Sequence, residues 1–147
     1  MHNALSIARQ KLQDGGYTCV ILLEEKEYYS HERGVRPLLT FLESGNTFQG
    51  GIAADKTVGA GAAHLYVLLG VQAVWANVIS RSAKDILEQN GIKVLYGECV
   101  PYIINRQGNG ICPIEKAVEN AQNSLDALTR IKEALQHLQQ NNANTYK

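Results

Sequence analysis

The sequence predicts an α/β protein, a mixed sheet with helices packed on its faces, and three observations carry that expectation. Strand-like and helix-like patterns alternate between Phe48 and Tyr96, as parallel βα units require. Ahead of them stands a continuous β-favouring run, Thr18-Cys19-Val20-Ile21-Leu22-Leu23, too apolar for a surface strand. The last third carries apolar residues separated by threes and fours, a helical stripe. An all-helical or all-β reading fits badly.

In chain order, Leu5, Ala8 and Leu12 recur at helical spacing, and Gly15-Gly16 stop that first helix. The apolar run from Thr18 follows, then the charged turn Glu24-Glu25-Lys26-Glu27 and Tyr28-Tyr29-Ser30, together a hairpin. After the loop His31–Arg36, Pro37 opens a short helix through Leu42 that Ser44-Gly45 end. Phe48 to Ala54 reads as a strand and Val58 to Leu69 as a helix with Val58, Ala62, Leu65 and Leu69 on one face. Ala73 to Ile79 is a strand, Ala83, Ile86 and Leu87 mark a helix closed by Asn90-Gly91, and Ile92 to Tyr96 is a short strand. The stripe Ile114, Ala117, Val118, Ala121, Leu125, Leu128, Ile131, Leu135 and Leu138 is one helix, or two with a break near Asn123-Ser124 where Ser124 could cap the second. Its distal half packs on another subunit or wraps its own domain; the pattern leaves both open. Residues 1–140 are expected to form one domain, and 141–147, which lack apolar residues at core spacing, a frayed tail.

Composition excludes several classes. Fourteen basic residues balance 14 acidic ones, so the electrostatic surplus that nonspecific nucleic-acid binding needs is missing. No apolar run approaches the roughly 18 to 20 residues of a membrane helix. The amino-terminal pattern carries charges and does not read as a signal peptide. Cys19, Cys99 and Cys112 form no CxxC and no even framework, which predicts a reduced, cytoplasmic protein.

Candidate chemistry gathers at two strand-to-helix junctions, where open α/β sheets bind ligands. At the first, Asp55 can accept from a ligand hydroxyl or amine, Lys56 can meet an anion, and Gly59 and Gly61 permit close backbone approach. At the second, Ser80 or Ser82 could act through a hydroxyl. Each also has a plainer reading: Asp55 and Thr57 as helix caps, Ser82 as a cap with Asp85 as its partner, the small residues as a packing face. Gly59-x-Gly61 is half of a dinucleotide fingerprint, but His64 holds its third small position, so no Rossmann assignment follows. Arg33, Arg36, Lys56 and Arg106 fall in loops or at element ends, where they either meet phosphate or carboxylate or are solvated charges. Val100–Arg106, containing Tyr102 and Asn105, is expected to be partly buried as a pocket wall. Cys112 precedes Pro113 at a helix start, a cap position that favours thiolate; a packed small hydrophobe is the alternative. No metal site is expected, because Cys99 and Cys112 are twelve intervening residues apart and neither His31 nor His64 has a partner at ligand spacing.

Five ordered blocks, Arg33–Leu39, Asp55–Ala63, Val78–Ser80, Val100–Arg106 and Cys112–Val118, together resemble an uncharacterised bacterial family, domain of unknown function 1893. The resemblance implies a cytidine deaminase-like fold, a three-layer α/β/α sandwich, here with a long carboxyl-terminal helix. Zinc deaminases place His-x-Glu or Cys-x-Glu at one helix start and Pro-Cys-x-x-Cys at the next. The corresponding segments here, Asp55–Gly59 and Ser80–Ala83, contain no thiol or imidazole, so the fold carries over and hydrolytic deamination does not. No cofactor is expected.

The resulting expectation is a metal-free domain binding a small anionic or nucleotide-derived ligand through Asp55, Lys56 and Gly59, with Arg33, Arg36, Ser80, Tyr102, Asn105 and Arg106 as further ligand contacts. Two alternatives stand beside it: a thiol enzyme with Cys112 as nucleophile assisted by Asp55 or Tyr102, and a regulatory module forming a homo-oligomer through its carboxyl-terminal helix.

Overall fold

The computed structural model describes the backbone over residues 2–145 and side chains over 3–139. The elements are α1 (His2–Gly15), β1 (Cys19–Leu23), β2 (Lys26–Ser30), α2 (Arg36–Glu43), β3 (Ile52–Val58), α3 (Ala60–Leu69), β4 (Ala73–Ser80), α4 (Arg81–Gln89), β5 (Lys93–Val100), α5 (Pro113–Ala117) and α6 (Ser124–Thr145). They build one five-stranded sheet in the order β2-β1-β3-β4-β5. β1 runs antiparallel to both β2 and β3, whereas β3, β4 and β5 are parallel.

This topology decides where the helices lie. Two successive crossovers step the same way along the sheet, and right-handed connections put α3 and α4 on one face. α1 covers the other face, packing Leu5, Ala8 and Leu12 against Val20, Ile52, Ala54, Ala73 and Trp75. Alternate residues of the same strands, Cys19, Ile21, Ala53, Val74 and Ala76, join the larger core under α3. Helix–sheet–helix layering is therefore the arrangement that the family resemblance implies.

Several element boundaries differ from expectation; β3 begins at Ile52 and α3 at Ala60, where Phe48 and Val58 were expected. β3 runs through Val58 rather than ending at Ala54, because Asp55 and Val58 are buried and Cys19 and Ala76 flank Asp55 in register. Asp55, Lys56 and Thr57 are thus strand residues, not junction or cap residues. β5 is longer than expected, reaching Val100. The carboxyl-terminal stripe is two helices; Asn123, not Ser124, caps the second, its Oδ1 accepting from Asp126 N at 2.8 Å.

α3 is buried almost all round rather than on one face. The sheet lies beneath it, while α2, α4, α5 and α6 surround its remaining sides. Ala127 and Ile131 of α6 are fully buried in this core, and Leu128 and Leu135 pack against it. The tail expected to fray, 141–147, has its side chains outside the described residues, although the backbone is helical through Thr145.

Candidate functional site

Helix α3 starts without a side-chain cap. Gly59, in extended conformation (φ −91°, ψ 178°), is its N-cap and has nothing to offer the first free N–H groups. Glu115 supplies the acceptor from 55 residues away: its Oε2 takes the hydrogen bond of Ala60 N at 2.5 Å. A carboxylate at this end also answers the positive pole of the helix.

Both nearby glycines serve that approach. A Cβ on Gly59 would stand 2.5 Å from Glu115 Oε2 and 3.2 Å from Ile103 Cγ1. A Cβ on Gly61 would stand 2.5 Å from Ile114 Cγ2. The Gly59-x-Gly61 pattern, which suggested close approach of a ligand, admits α5.

Glu115 is buried, at 6% exposure, yet only one of its oxygens is satisfied; Oε1 has no hydrogen-bond partner. The residue forms part of the wall of a cleft of about 620 Å³ between the first turns of α3, helix α4 and the α5–α6 connection. His64, one turn into α3, lies on the same wall, and its Nδ1 is 3.0 Å from Ser124 Oγ. Burial lowers the His64 pKa below the ordinary imidazole value of 6.5, so the ring is neutral at pH 7. Asp85 and Glu119 add carboxylates to the lining, opposed by Lys116 alone, and Ile86, Val118 and the Tyr102 ring add apolar surface.

Of the residues expected to bind ligand, Tyr102 lines this cleft and Gly59 borders it through Glu115. Ser80 is fully buried and caps α4, its Oγ accepting from Ala83 N at 3.2 Å; Ser82, the cap expected there, lines the cleft instead. Arg33, Arg36, Lys56 and Arg106 are exposed and outside the lining. Asn105 closes the 105–110 turn, bonding Asn109 through both ends of its amide. The segment expected to be partly buried is largely open: Tyr102 and Ile104 are 52% and 57% exposed. Its order comes from the Ile104–Ile111 bridge, with Cys112 N donating to Ile103 O at 2.8 Å.

Cys112 is the N-cap of α5, as expected, but its side chain makes no capping bond, and the residue does not line the cleft. Asp55 lies elsewhere again, in the core beneath α3. Its Oδ2 accepts from Tyr66 Oη at 2.6 Å and its Oδ1 from Thr57 N at 3.2 Å, while Cys19 Sγ lies 3.3 Å from the same phenol. Burial outweighs these donors and raises the Asp55 pKa to about 7; burial also pushes the Cys19 thiol well up. The two proposed catalytic residues do not meet.

Sequence reasoning missed Glu115, His64 and Ser124. Glu115 occupies an ordinary acidic first-turn position of α5, and Ser124 reads as a candidate cap. The available signal was Gly59-x-Gly61 at the start of a largely apolar helix, which announces a close neighbour but not which one.

Zinc does not fit the two helix starts. They present Gly59-Ala60-Gly61-Ala62 and Ser80-Arg81-Ser82-Ala83, without thiol, imidazole or carboxylate. Among the described residues no group of three His, Cys, Asp or Glu side chains is arranged to hold a metal.

Fold and cleft together define a mixed-sheet α/β protein with a polar cavity beside a strand-to-helix junction. The chain belongs to the DUF1893 family, a domain of unknown function whose family model matches residues 7–135. It is similar to a crystal structure of a DUF1893 family protein from Thermotoga maritima, with 22% identity, a TM-score of 0.82, and 93% of this chain and 91% of that one covered. That likeness shows the fold. A dCMP deaminase from the cyanophage S-TIM5, in complex with dCMP and dUMP, overlaps with a TM-score of 0.42 and 11% identity over 65% of this chain and 94% of that one. A Thermotoga maritima diaminohydroxyphosphoribosylaminopyrimidine deaminase/5-amino-6-(5-phosphoribosylamino)uracil reductase overlaps with a TM-score of 0.43 and 13% identity, over 65% of this chain and 35% of that one. Overlaps this loose carry no argument for this chain. No curated protein matches it.

Proposed function

We propose that this DUF1893 protein is a small-molecule-binding domain whose site is the cleft between α3, α4 and the α5–α6 connection. The observation that carries the reading is Glu115, a buried residue of that cleft's lining whose Oε1 has no hydrogen-bond partner. An orphaned buried polar atom costs about 1–3 kcal/mol, more when charged, and a ligand hydrogen bond removes the cost. A cavity of about 620 Å³ also lies within the ordinary size of small-molecule sites.

The reading keeps the small ligand expected from the sequence and moves its contacts. The α3 amino terminus, where a phosphate would be expected, already holds the Glu115 carboxylate. Neither Cys112 nor Asp55 belongs to the cleft wall, so nothing there supports a thiol nucleophile. Three unpaired thiols support a reducing, cytoplasmic setting, and no helix among the described residues is long and apolar enough to cross a membrane.

The test is a metabolite panel added to isotopically labelled protein, read at backbone amides. A ligand of this site shifts Ala60, His64 and Ser124. A panel that moves no amide of the cleft, or moves only those near Arg33 and Lys56, refutes the assignment.

A further inference from the structure

Resting on the cleft as a small-molecule site, we infer that its ligand is a small organic cation, an amine or amidine that donates an N–H to Oε1 of Glu115. A carboxylate oxygen only accepts, so the partner that satisfies it must be a donor. The carboxylate cannot readily turn away, because Oε2 is held by Ala60 N and the backbone at Gly59 closes on it.

The charge of the wall selects the sign. Glu115, Asp85 and Glu119 face Lys116 alone, and no arginine lines the cleft. Any ion entering here loses hydration; an anion would in addition meet a surplus of negative charge, whereas a cation is attracted by it. His64 does not offset the surplus, since its buried ring is neutral and its Nδ1 is engaged with Ser124. Tyr102, an exposed residue of the lining, adds an aromatic side chain of the kind that favours cations.

The test is titration of the full chain with two cationic probes, benzamidine and putrescine, and two anionic ones, benzoate and adenosine monophosphate, followed at backbone amides. The expected result is saturable binding of a cation with shifts at Ala60, His64 and Glu115, weakened roughly 10- to 100-fold by Glu115→Gln. Should that variant fold poorly, Asp85→Asn on exposed α4 and a rise from about 50 to about 500 mM NaCl are both expected to weaken cation binding severalfold. Cation binding that is indifferent to salt and to both substitutions overturns the inference. Anions binding in the cleft in place of cations also overturn it, but leave the cleft standing as a small-molecule site. If neither class shifts a cleft amide, the inference and the proposed function fall together.

Discussion

Oε2 of Glu115 lies 2.5 Å from the amide nitrogen of Ala60, so a side chain of α5 does for α3 what a local cap does for other helices. The contact closes the strand-to-helix junction at which a ligand was expected, and both residues line a different cavity beside it.

Gly61→Ala tests how tightly α5 is seated. Helix propensity alone would make it stabilising by about 1 kcal/mol. The added Cβ, however, would sit 2.5 Å from Ile114 Cγ2, an overpacking that costs about 1–3 kcal/mol. Urea denaturation is expected to show net destabilisation, with much of it absent when Gly61→Ala is made in an Ile114→Ala background. A stabilised single variant would contradict the close approach.

Glu115→Ala leaves Ala60 N without its acceptor and is expected to cost about 1–2 kcal/mol, comparable to losing a helix N-cap. Faster hydrogen exchange at Ala60 should accompany it. An unchanged exchange rate would mean the amide has another partner.

Asp55 should make stability pH-dependent. Its folded pKa, about 7, lies above its unfolded value near 3.8, so the folded state binds the proton more tightly. The stabilisation is complete below about pH 4 and is lost as pH rises through 7, on the order of 4 kcal/mol in all. His64 acts in the opposite direction: its lowered pKa gives stability above about pH 6.5 that is lost toward acid. Because the two overlap, the informative quantity is the difference between wild type and Asp55→Asn across about pH 4 to 8. A difference that does not change with pH would rule out the titration of Asp55.

Thiol reactivity should separate the cysteines. Cys19 is buried with its thiol pushed well up, Cys99 is exposed, and Cys112 is half-buried. Maleimide labelling followed by mass measurement is expected to modify Cys99 and Cys112 in the native protein and Cys19 only after unfolding. Cys112→Ala should leave ligand binding unchanged, since the residue is outside the cleft wall. Native labelling of Cys19 or a binding defect in Cys112→Ala would count against this arrangement.

The fold was legible because its signals are local: the Leu5-Ala8-Leu12 stripe, the apolar run at Cys19, and the βα alternation each report their own element. The site was not, because it depends on contacts across the chain. Glu115 meets Ala60 over 55 residues and His64 meets Ser124 over 60, and no local pattern encodes either pairing. Asp55 misled for a related reason. The expected strand ended at Ala54 and left it at a strand-to-helix junction, but Tyr66 and Thr57 donate to its carboxyl group and let it remain inside a buried strand.

Amide shifts on addition of benzamidine, compared between wild type and Glu115→Gln, test the central claim most directly. The account predicts saturable shifts at Ala60, His64 and Ser124 that are lost or much weakened in the variant. Shifts centred instead on Arg33, Arg36 and Lys56, or equal in both proteins, would contradict it.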